Sequence, residues 1–235
     1  MPEQLDTSFV TEVGILLAWG LTTWYVFFTF KESGQGRAKT ISLTLGVLAW
    51  SIFAFGAVKF GFDRGFFFGL PVRTLVYLFL AAGLGYGFRW ALVGKGLSQR
   101  MLIGLQLVRP IGMVFVLEHL RGNLPAVFAY PAGLGDLLVG LLALAVLIRY
   151  RNQAIPNGAV ILVLTVGIAD FVSAFFFGFT SAATPFQLFA FDQPNQVALY
   201  PTGLIPVFLV PYALIFHILS LTEMQRANRQ ARASR

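Results

Sequence analysis

The chain of 235 residues is 57% hydrophobic and only 11% charged, whereas soluble domains carry about 25% charged residues. It therefore lacks the polar surface that a water-soluble fold needs. Its net charge of +7 does not indicate a nucleic-acid partner, because the basic residues lie in short segments between long apolar runs. The absence of cysteine from the sequence excludes a disulfide framework, thiol catalysis and a cysteine metal site.

Seven apolar runs are each close to the ~20 residues that an α-helix needs to span a bilayer. The acidic start, MPEQLDTSFVTE, lacks the basic segment of a signal peptide, so we expect the first run to be retained as a helix. The third run is the shortest, because Arg73 and Arg89 bracket fifteen uncharged residues, but arginines at helix ends can reach the interface. In chain order, the predicted spans are at about 12–30, 40–60, 71–92, 101–120, 124–148, 158–180 and 199–221.

These spans predict an all-α fold, a polytopic bundle of seven transmembrane helices that forms one domain over residues 1–235. The connections between the spans are short. The longest, 181–198, is too apolar for a flexible linker, and we expect it to lie along the membrane surface. Residues 222–235 form a basic tail after the last span.

The distribution of lysine and arginine predicts the orientation of the bundle. Basic residues favour the cytoplasmic side of a membrane, and twelve lie on one side of this bundle against four on the other. We therefore predict an external N-terminus, a cytoplasmic C-terminus and a cytoplasmic tail, which agrees with an odd number of spans. The cytoplasmic set is Lys31, Arg37, Lys39, Arg89, Lys95, Arg100, Arg149, Arg151, Arg226, Arg229, Arg232 and Arg235, and the external set is Lys59, Arg64, Arg73 and Arg121.

Three ionisable residues lie deep in the predicted spans: Arg109 in the fourth, Asp136 in the fifth and Asp170 in the sixth. The ~1.5 Å rise per helical residue places all three in the middle third of a ~30 Å hydrocarbon core. A charge at that depth costs about 3 kcal/mol on insertion scales. We therefore expect these side chains to face inward and to contact one another.

Both aspartates lie in similar frames of small residues, GLGDLLVG at 133–140 and GIADFVSA at 167–174. In each frame the residues three before and four after the aspartate share its helix face, and these residues are small. Small residues allow membrane helices to approach closely. We predict that the fifth and sixth spans pack along these two stripes, with Asp136 and Asp170 near the seam and Arg109 as their counter-charge.

One guanidinium facing two carboxylates leaves a negative charge uncompensated, and two neighbouring carboxylates in a low dielectric rarely both ionise. The cluster therefore suggests a proton or substrate site in a transporter or permeation protein for protons or a small solute. The alternative is a non-transporting subunit, sensor or binding protein in which the cluster is a structural clamp. Prolines in the fourth, fifth and seventh spans favour a cavity nearby. Candidate secondary contacts are Gln106, Ser173, Glu118, His119 and His217.

The two histidines do not indicate a cofactor. His119 lies at the outer end of the fourth span, and His217 lies about 18 residues into the seventh, near the inner headgroups and roughly 25 Å lower. The two cannot clamp one haem, and the last span has no lysine for retinal, so we predict no cofactor. No metal site and no enzyme motif is recognised, which favours a non-enzymatic role without closing the question. The bilayer is the expected partner, and a homo-oligomer or a partner subunit stays open.

Two family resemblances accompany these patterns. The length and seven-span topology are similar to those of small semi-SWEET-derived sugar transporters, but the proline–glutamine signature of that family is missing. The segments VRPIGMVF at 108–115, LPAVFAYPAGLGDLLVG at 124–140 and PVFLVPYALIFHILSL at 206–221 resemble a family of uncharacterised seven-span bacterial inner-membrane proteins. That second resemblance implies a multi-pass location in the bacterial inner membrane and no particular activity.

Overall fold

The computed structural model describes residues 5–34, 36–61, 77, 79, 83, 86, 88 and 97–233. Six helices in these ranges are long and apolar enough to cross a membrane, which indicates a multi-pass membrane protein. No strand occurs among the described residues. The helices are α1 (Phe9–Glu32), α2 (Arg37–Phe60), α3 (Gln99–Leu120), α4 (Ala126–Arg149), α5 (Asn157–Thr180) and α6 (Ile205–Ala233).

Six of the seven predicted spans correspond to these helices. The boundaries of α1 to α5 agree with the predicted ones within three residues, whereas α6 begins six residues later and ends twelve residues later than predicted. The basic tail is therefore largely a continuation of α6. The third predicted span, with Arg73 and Arg89, lies outside the described residues except for Tyr77, Phe79, Gly83, Tyr86 and Phe88.

Local signals explain where several helices begin and end. Ser8 caps α1, since its hydroxyl oxygen accepts a hydrogen bond from the Thr11 amide at 3.0 Å. Ser98 caps α3 in the same way. Gly61 ends α2 in the left-handed conformation, with φ of 62°, which a glycine adopts at no steric cost. At the C-terminal end of α4, Arg100 donates to the carbonyl of Tyr150 at 2.6 Å and so satisfies one of the open acceptors.

The middle of α3 is wound as a 3-10 helix over Leu105–Gly112. Pro110 lies inside this segment, where it has no amide hydrogen to donate and its ring crowds the preceding turn. A 3-10 helix has three residues per turn, so residues three apart lie directly above one another. Gln106, Arg109 and Gly112 therefore form one row, and all three are buried. The start of α6 is also irregular, because Ile205–Leu209 forms a π-helical turn.

Helix α4 packs against α3 on one face and α5 on another. The glycines of the Gly133–Gly140 stripe allow the close approach of α3. A Cβ atom added at Gly133 would lie only 2.8 Å from Val116 Cγ2, and one added at Gly140 would overlap the ring of Pro110. The prediction that this stripe packs against the sixth predicted span, which is α5, was therefore wrong. Helices α4 and α5 do pack together, but the Gly133–Gly140 stripe contacts α3.

Candidate functional site

The structure brings Arg109, Asp136 and Asp170 into direct contact. Arg109 Nε donates to Asp136 Oδ1 at 2.7 Å, and Arg109 Nη2 donates to Asp170 Oδ2. Arg109 Nη1 donates to the carbonyl of Gly167 at 3.4 Å, and the guanidinium lies 3.9 Å from the ring centroid of Phe171. The exposed fractions of Arg109, Asp136 and Asp170 are only 5%, 9% and 8%. One cation therefore links α3 to both α4 and α5.

The two aspartates lie at similar depths in their helices. Asp136 comes ten residues after the start of α4, and Asp170 comes ten residues before the end of α5. At a rise of ~1.5 Å per residue, each is about 15 Å from the same end of the bundle, since α4 and α5 are consecutive. That is about half of a ~30 Å hydrocarbon core.

Three glycines provide the space for the polar side chains of the site. A Cβ atom added at Gly112 would overlap the carboxylate of Asp136, and one added at Gly135 would overlap Asp170 Oδ1. A Cβ atom at Gly167 would overlap His217 Nε2 and lie 3.2 Å from Arg109 Nη1. The roles of Gly112 and Gly135 were not predicted from the sequence, although a glycine directly precedes Asp136 and another follows Arg109 by three residues.

His217 lies beside this cluster. Its ring faces the position where Gly167 lacks a side chain, and it meets the ring of Phe171 edge-on at 5.7 Å. The interpretation of His217 as a residue near the inner headgroups was therefore wrong. Its Nδ1 is 2.8 Å from the carbonyl of Ala213, which can only accept, so Nδ1 carries the hydrogen and Nε2 of the neutral ring is an acceptor.

Three buried polar atoms of this region have no hydrogen-bond partner among the described residues: Asp170 Oδ1, His217 Nε2 and Gln106 Oε1. Each belongs to a side chain that is more than nine-tenths buried. An unsatisfied buried polar atom costs about 1–3 kcal/mol, and buried groups are normally paired. The site therefore carries unused acceptor capacity on α3, α5 and α6.

A cavity of about 20 Å³ adjoins the cluster, which is enough for about one water molecule. Thr22, Arg109 and Asp136 form its polar lining, and the other described lining residues are apolar side chains of α3, α5 and α6. Thr22 brings α1 to the site, and its side chain is buried. The geometry thus allows one small polar species beside the ion pairs.

Two of the candidate secondary contacts belong to a different place. Glu118, which is fully buried, accepts hydrogen bonds from the Thr11 hydroxyl and from Asn123 Nδ2, the latter at 2.6 Å. His119 Nδ1 lies 2.9 Å from the carbonyl of Leu124. These contacts connect the start of α1 to the turn between α3 and α4. Ser173 is half-buried and forms no side-chain hydrogen bond in the described part of the chain.

A second polar network lies at the same end of the bundle. The Tyr200 hydroxyl donates to Glu12 Oε1 at 2.7 Å, and Lys59 Nζ lies 3.7 Å from the centroid of the Tyr200 ring. Burial and the hydrogen bond to Glu12 raise the pKa of Tyr200. This network joins α1, α2 and the segment before α6. Within the ranges given above, no group of three histidine, aspartate or glutamate side chains could hold a metal ion.

Six apolar helices in the described residues indicate a helical membrane protein, and its buried ionic site is an arginine paired with two aspartates. The chain belongs to the family of the domain of unknown function DUF8737, whose model matches residues 68–224. The matched region includes Arg109, Asp136, Asp170 and His217. No curated protein and no solved structure shows a significant match to the chain.

Proposed function

We propose that this chain is a transport or permeation protein that binds and releases a proton at Asp170 while it moves protons or a small solute across a membrane. One observation carries the proposal: Asp170 shares a single guanidinium with Asp136, and its second oxygen, Oδ1, has no partner among the described residues. The proposed orientation has the N-terminus outside and the C-terminus inside a bacterial inner membrane, with seven spans.

The charge count supports a proton on the site. Arg109 contributes one positive charge, and two ionised aspartates would contribute two negative charges. Unit charges at hydrogen-bond distance interact far more strongly in a protein interior than in water, so an uncompensated charge is costly there. One bound proton makes the cluster neutral. The ion pairs leave two carboxylate oxygens free, Asp170 Oδ1 and Asp136 Oδ2. Of these two, Asp170 Oδ1 is the one that is buried without a hydrogen-bond partner in the described part of the chain, so it is the position that we assign to that proton.

The surroundings support exchange of this proton during a conformational cycle. The cavity places room for one water beside Arg109 and Asp136, and His217 Nε2 supplies a second acceptor on α6. The rest of the described cavity lining is apolar, and Arg109, Asp136 and Asp170 are almost completely buried, so we expect exchange of the proton to require rearrangement. Irregular segments provide points at which α3 and α6 can rearrange, namely the 3-10 winding at Leu105–Gly112 and the π-helical turn at Ile205–Leu209.

A second candidate is a non-transporting subunit, sensor or binding protein in which the cluster is a clamp. The observation that favours this alternative is that Arg109 bonds to α4 and α5 at the same time and also packs on Phe171. Removal of one partner from such a buried pair costs about 3–5 kcal/mol. The clamp and the proton site therefore both predict lower stability for variants of the cluster, and only an activity can separate them.

The test is proton flux into liposomes that contain the purified protein and a pH-sensitive dye, driven by a potassium diffusion potential. We expect the wild type to acidify the lumen at least tenfold faster than protein-free liposomes. Asp170→Asn should abolish most of this flux, because an amide cannot bind and release the proton. Asp192→Asn is the matched control, since Asp192 is exposed and lies in the connection between α5 and α6.

Two results would contradict the proposal. A wild-type rate equal to that of empty liposomes would exclude proton permeation, and equal rates for Asp170→Asn and the wild type would exclude the site. Unfolding of each variant, measured in the same detergent, separates loss of the fold from loss of the proton. Lower stability without any proton flux in the wild type is the result that the clamp predicts.

A further inference from the structure

The connection between α5 and α6 presents large apolar side chains on its surface. Phe186 and Phe191 are 63% and 68% exposed, and Leu188 is 58% exposed. The sequence of this stretch, from 182 to 191, is AATPFQLFAF and contains no charged residue; the first charge is that of Asp192. Contiguous exposed apolar surface marks a contact with a partner or a membrane.

The stretch folds back beside the last turns of α5. The amides of Leu188 and Phe189 both donate to the carbonyl of Thr180, the last residue of α5, at 2.7 and 3.0 Å. The ring of Phe189 lies 6.1 Å from that of Phe177, and the ring of Phe186 lies 5.4 Å from that of Phe179. These rings are therefore at the depth of the final turn of a membrane-spanning helix.

Most backbone amides of this stretch are hydrogen-bonded within the protein. The four consecutive amides of residues 186–189 all donate within the protein, to Thr184 or to Thr180. The side chain of Gln187 donates in turn to the carbonyls of Phe189 and Ala190, at 3.2 and 3.1 Å. An irregular segment can enter the edge of a bilayer only where its polar backbone groups are paired.

We infer that residues 184–191 form an interfacial loop that inserts its phenylalanine and leucine side chains among the lipids, at the boundary of headgroups and acyl chains. The occupant of this surface is lipid, because the loop continues the lipid-facing side of α5, on which Val172 and Phe176 are also exposed. Phenylalanine and leucine side chains that insert at this boundary bind a segment to the membrane surface through their buried apolar area. The anchor packs beside the end of α5, which lies ten residues beyond Asp170, and so holds that carboxyl near the bilayer centre.

The inference can be tested by spin labelling, without any transport assay. The sequence contains no cysteine, so a single introduced cysteine gives one label per chain. Phe186→Cys and Phe191→Cys place nitroxides on the proposed lipid face, and Asp192→Cys is the control next to it. In lipid nanodiscs, collision with oxygen reports contact with acyl chains, and collision with a water-soluble nickel chelate reports contact with water.

We expect labels at 186 and 191 to collide at least fivefold more often with oxygen than with nickel, after normalisation to a free label, and the label at 192 to show the reverse. Nickel collision at 186 and 191 as frequent as at 192 would overturn the inference, since the loop would lie in water. Exclusion of both reagents would also overturn it, because protein, for instance a second copy of this chain, would cover the surface. If Phe186→Cys fails to fold, Leu188→Cys replaces it. The outcome does not depend on the proposed proton site.

Discussion

Gly135→Ala is expected to disrupt the ionic site through a single methyl group. The added Cβ would overlap Asp170 Oδ1 and lie 2.6 Å from Asp170 Cγ and 3.3 Å from its Cβ. The carboxylate alone cannot relieve this overlap without rotating away from Arg109, and a displaced carboxylate leaves the guanidinium with one partner. The other way to relieve the overlap is to separate α4 from α5.

The magnitude follows from two opposing contributions. Loss of one partner from a buried charge pair costs about 3–5 kcal/mol. Replacement of glycine by alanine inside a helix contributes about 1 kcal/mol in the other direction. We therefore expect Gly135→Ala to lower the free energy of unfolding by ~2–4 kcal/mol.

The assay is reversible unfolding by sodium dodecyl sulfate in mixed micelles, followed by tryptophan fluorescence. Gly20→Ala is the control, because a Cβ atom at Gly20 of α1 would meet nothing within 4 Å, so this variant should be equally or more stable than the wild type. In an Asp170→Ala background, Gly135→Ala should no longer destabilise, which gives a coupling energy of ~3–5 kcal/mol. Equal stability of Gly135→Ala and Gly20→Ala would refute this account of the contact.

Three further changes test other parts of the account. Arg109→Lys should lower the free energy of unfolding by ~2–3 kcal/mol, because one amine cannot reproduce the hydrogen bonds of Nε and Nη2 to two carboxylates. An unchanged free energy of unfolding would contradict the observed pairing. Glu118→Gln should loosen the start of α1, because a neutral amide makes weaker hydrogen bonds than a buried carboxylate, and the start of α1 should then be cleaved faster by a protease. An unchanged cleavage rate would contradict the role of Glu118 in holding the start of α1. A cysteine at Asp192 should react with a membrane-impermeant maleimide on intact cells, and one at Ala227 only after lysis; the reverse pattern would invert the proposed topology.

The sequence predicted the helices well, because long apolar runs are a strong signal for membrane spans. The number of residues between each charged side chain and the ends of its apolar run was enough to place Arg109, Asp136 and Asp170 at similar depths. The free-energy cost of burying a charge was then enough to predict that they contact one another. Depth depends only on counting residues along each helix, so errors of two or three residues at a boundary did not change this result.

It was harder to predict which neighbouring helix each helix face packs against. A stripe of small residues indicates close approach but not the identity of the partner, and the stripe at Gly133–Gly140 contacts α3 instead of α5. Pro110 winds its segment at three residues per turn, which a uniform period of 3.6 does not anticipate. His217 was predicted too far from the outer end of its helix, because the seventh span was taken to begin at residue 199. Since α6 begins at Ile205, His217 lies about 9 Å nearer to that end than predicted.

The most direct test of the central claim is infrared spectroscopy of the purified protein, which detects protonated carboxyl groups by their carbonyl stretching band. The account predicts one buried protonated carboxyl at neutral pH, whose band is absent from Asp170→Asn and unchanged in Asp192→Asn. It also predicts that this band disappears as the pH is raised. A spectrum without such a band in the wild type, or with the same band in Asp170→Asn, would contradict the claim that Asp170 holds the compensating proton.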